Sequence, residues 1–349
     1  MSLIYRSLPW TDAQTTDPDL VISSLAQALN ADPDKLSLIR PPLSNLRSTL
    51  YFAGEVGGSN PRWVVKQTHH PATPVGGVPT LPVAAELRSL AVLESWQDGN
   101  APIARPVGLL PDIDALALEF VPGRPLRALF NGNLRHPATE AVSALRATGN
   151  YLRRIHLAGD AGEEEEVDLA ETAEMVLSRS TEALAVEGLR LPEPAAAALR
   201  AVRSRRVRTR RTLLYGDFVP ANLIVTSSGH IVGIDPALQE VGLPEDDAAR
   251  FLAFVMSDTK FIPSLALASV RRTGRELQEA FLAGWSGQPM PSTLLVVRLM
   301  ETLSLRWLRR RELTRLREAP ARARRLLIDQ FMTHVIMQAA WQLAQTSDA

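Results

Sequence analysis

The chain has 349 residues, 46% hydrophobic and 22% charged, the balance of a soluble globular protein and not of a disordered chain, a collagen-like fibre or a coiled-coil rod. Lys+Arg and Asp+Glu stand at 38 each, so no global field draws the chain to nucleic acid or to an anionic membrane. Cysteine is absent, which removes disulfides, thiolate metal sites and a cysteine nucleophile together and fits a reducing compartment. Residues 1–16 lack the basic-then-apolar pattern of a secretion signal, and the longest charge-free stretches are broken by Pro and Gly or diluted by Gln, Ser and Thr. The expectation is a cytoplasmic protein without a membrane or nucleic-acid partner.

In chain order, Leu20, Ile22, Leu25 and Leu29 recur at near-helical spacing and predict a helix around 19–30. Two strand-like runs follow, Ser48 to Glu55 and Arg62 to Thr68, joined through Gly57-Gly58-Ser59-Asn60 as a hairpin. A Pro- and Gly-rich connector, His70 to Pro82, leads into a helix that ends near Trp96. A second hairpin, 103–110 with 115–121, turns at Pro111-Asp112-Ile113-Asp114 and runs into Pro122-Gly123-Arg124-Pro125, a break between lobes. Beyond it, long amphipathic patterns predict helices at about 138–158, 166–189, 192–204, 245–258, 273–284, 293–317 and 320–345. One short hairpin, 223–226 with 230–234, interrupts them. The run Glu163 to Glu166 reads as a solvated helix start, where carboxylates suit the positive end of the dipole.

The segment from Leu213 to Pro236 carries the chemistry. Asp217 stands on a turn leaving an apolar strand, Asn222 follows five residues on, and Asp235 ends the next strand thirteen residues later. Phosphoryl transfer needs a carboxylate to orient the attacking hydroxyl and hard oxygen ligands for Mg²⁺ on the donor's phosphates, and Asp-x-x-x-x-Asn followed by a further Asp is the spacing of that machinery. Upstream, Lys66 is unusual by composition. Only three of the 38 basic residues are Lys, namely Lys35, Lys66 and Lys260. Lys66 lies in an apolar strand, where an ammonium needs a specific anionic partner.

These residues resemble the aminoglycoside phosphotransferase family, small-molecule kinases related in fold to protein kinases. The family's His-Gly-Asp-x-x-x-x-Asn stands here as Tyr215-Gly216-Asp217 to Asn222, with Ile234-Asp235 in the metal position. The resemblance implies an α+β, two-lobed kinase-like fold: a β-rich nucleotide-binding lobe over residues 1–121, with an N-terminal helical extension, and a larger helical catalytic and substrate-binding lobe over 122–349. It implies ATP or GTP as phosphoryl donor, Mg²⁺ held by Asn222 and Asp235, and Asp217 as the catalytic carboxylate. Lys66 is then the strand lysine on the phosphates, and Glu86 its helix partner. Leu118-Glu119-Phe120-Val121 faces adenine through Glu119 and Val121, and Ser44-Asn45 forms a small polar loop tip over the phosphates. Asp247, rather than Asp246, is similar to the structural Asp behind the catalytic loop. The acceptor is a hydroxyl of a small molecule such as a sugar, an amino alcohol or an antibiotic-like metabolite.

Three departures bear on this reading. Tyr215 replaces the usual His, the 41–48 loop has no glycine, and Pro236 follows Asp235, which argues against an activation switch of the protein-kinase type. The first two leave open the alternative of a non-catalytic nucleotide-binding regulatory protein on the same fold. Seven Arg between 200 and 211 and nine between 306 and 325 read as solvated helix faces. An Arg-rich C-terminal region disfavours a polycationic acceptor and favours a neutral or anionic one. Trp285, Trp307 and Trp341 are either core or a platform for such a molecule.

Overall fold

The computed structural model of the chain describes residues 16–44, 48–69, 83–96, 102–131, 139–238, 240–315 and 321–347. Asn45, named above for the loop tip, and all of the 70–82 connector lie outside them. The chain divides into two compact units, Met1–Ala128 with Asn222–Leu238, and Leu129–Ala221 with Gln239–Ala349.

In the first unit, helix α1 (Pro18–Leu29) starts with Pro at its first position under an Asp17 side chain that accepts from the Asp19 amide, and stops at Asn30 in the left-handed region. Strands β1 (Leu36–Ser44), β2 (Ser48–Glu55) and β3 (Trp63–Thr68), helix α2 (Val83–Ser95), and strands β4 (Pro106–Leu110) and β5 (Ala115–Glu119) follow. The strands form one antiparallel sheet in the order β1-β2-β3-β5-β4. Strand β1 corrects the expectation of a loop from Pro41: the pairing with β2 runs from Leu36 opposite Glu55 to Ser44 opposite Thr49. Pro41 and Pro42 are tolerated because β1 is an edge strand and its register slips between Arg40 and Leu43, where the prolines sit. Val21 and Leu25 of α1 pack with Tyr51, Ala53, Val65, Ala115 and Ala117 into a core on one face of the sheet. Strand alternation then turns Lys66 to the opposite face. The two-residue strand β6 (Arg124–Pro125) completes the unit together with the returning hairpin described below.

The second unit is mostly helical. Helix α3 (Thr139–Ala158) is followed by strand β7 (Asp160–Asp168), helices α4 (Leu169–Val186) and α5 (Glu193–Arg200), and strand β8 (Arg206–Leu213). The Glu163–Glu166 run is thus in a strand and not at a helix start. Asp168 caps α4, its Oδ1 accepting from the Ala170 and Glu171 amides at 2.9 and 3.1 Å, so the helix begins at Leu169. The acidic run instead pairs antiparallel with the first Arg cluster, Glu164 opposite Arg210 and Glu166 opposite Arg208. That cluster is therefore largely strand, not a helix face.

After Asp217 the chain enters the first unit, where β9 (Leu223–Val225) and β10 (Ile231–Gly233) form a hairpin and β9 pairs with β6. The second unit resumes with β11 (Val241–Gly242), which adds to β8, and with α6 (Pro244–Met256), α7 (Ala268–Trp285), α8 (Thr293–Arg315) and α9 (Ala321–Ser347). Helices α3 and α7 cross at a glycine pair: a Cβ on Gly149 would overlap the Phe281 carbonyl and one on Gly284 the Arg146 carbonyl. Only glycine permits that approach. Among the described residues no helix is long and apolar enough to cross a membrane. The sheet of the N-terminal region and the helices of the C-terminal region make up the α+β, protein-kinase-like architecture that the sequence predicts.

Candidate active site

In the first unit Lys66 is the centre. Its Nζ lies 2.7 Å from Glu86 Oε2 on α2 and 2.6 Å from Asp235 Oδ1 beyond β10. Burial works against the ammonium, but the two carboxylates outweigh it and hold Lys66 above the usual lysine range. Glu86 is 2% exposed. Its Oε1 has no hydrogen-bond partner among the described residues. Burial first, and then the charge of Asp235, push this carboxyl up to about 7 against the pull of Lys66. The site therefore holds two negative groups about one positive one, and Glu86 takes up the imbalance.

Asp235 has a left-handed backbone, φ +59°. Asp tolerates the left-handed region better than most residues. The turn directs a carboxylate that remains 41% exposed. Across the hairpin, the Ile234 amide donates to the Asn222 carbonyl at 2.9 Å, and Leu223 stands opposite Gly233. Asn222 and Asp235 thus flank the same end of one hairpin. A second tether holds that end, the Ala104 amide donating to the Gly233 carbonyl at 3.0 Å.

Glu119 closes β5 with an exposed side chain, and its amide donates to the Arg105 carbonyl. Phe120 packs edge-on against Phe52, and Val121 follows, half-buried. Ser44 is buried at the end of β1, its hydroxyl 2.8 Å from that of Thr49. Its side chain is engaged within the sheet.

In the second unit the loop bearing Asp217 is held from behind. The Asp247 carboxylate on α6 accepts from the Tyr215 amide at 2.7 Å and the Gly216 amide at 3.1 Å. His156 on α3 lies 3.1 Å from the same carboxylate through Nε2. Its Nδ1 is 3.4 Å from the Trp285 indole N–H, so Nδ1 accepts and Nε2 carries the proton toward Asp247. Asp246 turns away to Arg298 at 3.4 Å, leaving Asp247 as the buttress. Gly216 has φ +84°, a conformation that glycine supplies without strain. Tyr215 is fully buried, edge-on to Phe218 at 5.3 Å. Phe218 in turn packs on Phe251 and Tyr151. An aromatic cluster thereby anchors the position where the family has His. Asp217 itself is half exposed, with Arg250 Nη1 3.9 Å from Oδ1. Sequence reasoning assigned Arg250 no role; its spacing three residues after Asp247, one helical turn along α6, is the signal that carries it.

A family model described as the phosphotransferase enzyme family matches residues 39–294. No curated protein sequence matches. Among solved structures, the fold is similar to that of the amicoumacin kinase hAmiN, with 16% identity, TM-score 0.53 and coverage of 93% of this chain and 94% of that one. It is also similar to an aminoglycoside phosphotransferase-like protein from Ralstonia eutropha (13% identity, TM-score 0.56, 94% and 98% covered). A glucosamine kinase gives 16% identity, TM-score 0.55 and coverage of 93% and 81%. With well over half of its length matched, and with a lysine–carboxylate cluster and a buttressed Asp loop in the order the family shows, the chain belongs to the phosphotransferase enzyme family.

Proposed function

We propose that the protein transfers the γ-phosphoryl group of ATP or GTP, with Mg²⁺, to a hydroxyl of a neutral or anionic small molecule. The observation that carries this is Lys66 held between Glu86 and Asp235 at 2.7 and 2.6 Å. A lysine is kept charged and fixed beside a half-exposed carboxylate, an arrangement that suits donor phosphates and a divalent ion. The donor set also fits Mg²⁺, since a carboxylate and an amide oxygen are hard ligands. A site built from two side chains leaves the remaining positions for phosphate oxygens and water. When bound, Mg²⁺ neutralises charge between the phosphates.

Lys66 orients the donor phosphates, and Glu86 keeps its ammonium aimed. Asp235, with Asn222, would hold the metal. Asp217 accepts the hydrogen bond of the acceptor hydroxyl and aligns it for in-line attack. Asp247 fixes that carboxylate by clamping the two preceding amides. Glu119 and Val121 border adenine or guanine.

The test is calorimetric titration of ATP and GTP with Mg²⁺ or chelator, followed by turnover with a panel of sugars, amino sugars, amino alcohols and hydroxylated antibiotics. Mg²⁺ should tighten nucleotide binding, and Asp235→Asn should remove that gain. Asp217→Ala should lower turnover by about 10²–10⁴-fold, the usual worth of a positioned base, with nucleotide affinity kept. Equal affinity in chelator and Mg²⁺, or full turnover without the Asp217 carboxylate, overturns the assignment.

A further inference from the structure

The second unit contains a cavity of about 100 Å³ that the phosphotransfer machinery does not use. It is bounded by the last turn of α6, the short 3₁₀ turn Thr259–Leu265, α7 and α9. Met256, Phe261, Val270 and Val335 make an apolar floor. Arg271, Arg275, Gln278 and Gln338 supply the polar wall, and among the described residues no carboxylate lines it. Trp341 also lines it and is 59% exposed.

Three observations define what such a cavity takes. Its volume is of the order of the apolar cavity of about 150 Å³ that holds benzene, so the body of the ligand is one ring or a short branched chain. Arg271 is fixed by donating to the Ser264 carbonyl at 2.6 Å. A guanidinium has five N–H donors in a rigid fork, so others remain to receive an anion. The charge of Arg271 is also felt by His334, which burial first, and then Arg271, hold below the usual imidazole range. Of the three tryptophans considered from sequence, Trp307 is buried with its indole N–H on Asp329, and Trp285 is engaged with His156. Only Trp341 among them is left to stand beside a ligand.

We propose that this cavity is a binding site for a compact organic anion, an aryl or branched-alkyl carboxylate or phosphate ester, with its body on the Phe261–Val335 floor and its charge on Arg271 and Arg275. The site is independent of the phosphotransfer reading, because none of its lining residues belongs to the donor or catalytic groups.

The experiment titrates the full-length protein with phenylacetate and, as a cation of matched size, benzylamine, reading heat and tryptophan fluorescence. Phenylacetate should bind saturably and benzylamine should not. Arg275→Glu, at an exposed position that the fold tolerates, should weaken phenylacetate at least about tenfold, as expected for a lost charge-assisted contact, and Arg271→Gln should do likewise. Trp341→Phe should abolish the fluorescence change and leave the heat. No saturation by about 10 mM, well above a millimolar Kd, overturns the proposal. So do equal binding of benzylamine, insensitivity to both arginine variants, and a fluorescence change that survives Trp341→Phe. A nucleotide titration of the same sample separates this outcome from the fate of the phosphotransfer reading.

Discussion

The Lys66 cluster and the β7–β8 ribbon use charge in opposite ways. Around Lys66, the ammonium and the Glu86 carboxylate lie largely out of water, while the second carboxylate, Asp235, stays half exposed. Along the ribbon, Glu164, Glu165 and Glu166 face Arg206, Arg208, Arg210 and Arg211 at 3.2 to 3.8 Å, and nearly every member is exposed. The ribbon has more ion pairs and less at stake. In water each pair gains little over its solvated parts, whereas a buried carboxylate without its partner carries an unrecovered desolvation cost. The ribbon's charges give solubility and specify register along an otherwise polar edge strand. The charges about Lys66 hold one ammonium between two carboxylates, one of them buried.

Four substitutions sharpen that contrast, in falling order of effect. Lys66→Met strands Glu86 and should destabilise the apo protein by about 3 kcal/mol or more at pH 8, in the range for breaking a buried pair. The loss should shrink toward pH 5, where Glu86 is protonated. A pH-independent loss in urea unfolding would mean that Lys66 acts through packing alone.

Glu86→Gln tests the raised carboxyl. The folded state keeps its proton to about 7 while the unfolded chain releases it near 4.5. Between these values the native state binds more protons, so the stability of the parent relative to Glu86→Gln should fall as pH rises, by at most about 3 kcal/mol at 1.36 kcal/mol per pKa unit. Parallel stability curves from pH 4.5 to 7.5 would contradict it.

Asp247→Asn leaves the Tyr215 and Gly216 amides and His156 with one neutral acceptor instead of a carboxylate. It should cost about 2 kcal/mol, the scale of a buried charge-assisted hydrogen bond. Because it loosens the loop behind Asp217, turnover should fall more than nucleotide affinity. Unchanged turnover would make Asp247 a fold residue alone.

Glu166→Gln, facing Arg206 and Arg208 at 3.4 and 3.2 Å, should cost less than about 1 kcal/mol. Even that should fade with added salt. A cost comparable to that of Lys66→Met would erase the distinction between the two regions.

Local pattern alone marked much of this protein. Apolar spacing located α1, β2, β3, α2 and the long C-terminal helices, because amphipathic period and turn residues act within a few positions. The candidate phosphotransfer residues stood out because metal and phosphate chemistry demands Asp, Asn and Lys at set intervals, and because Lys is scarce in this chain. Other features rest on partners far away in the chain. Strand β1 carries two prolines and forms because β2 offers it an edge. Glu163–Glu166 becomes a strand because the Arg strand forty residues later neutralises it across the register, a contact no short window contains. The return of residues 222–238 to the first unit, which puts Asp235 on Lys66 across a separation of 169 positions, was likewise fixed by tertiary pairing. So was the binding of His156 to Asp247, 91 positions apart. Sequence sets which groups are available and which local shapes they favour; burial decides which charges must meet, since only there does an unpaired charge cost enough to dictate the fold.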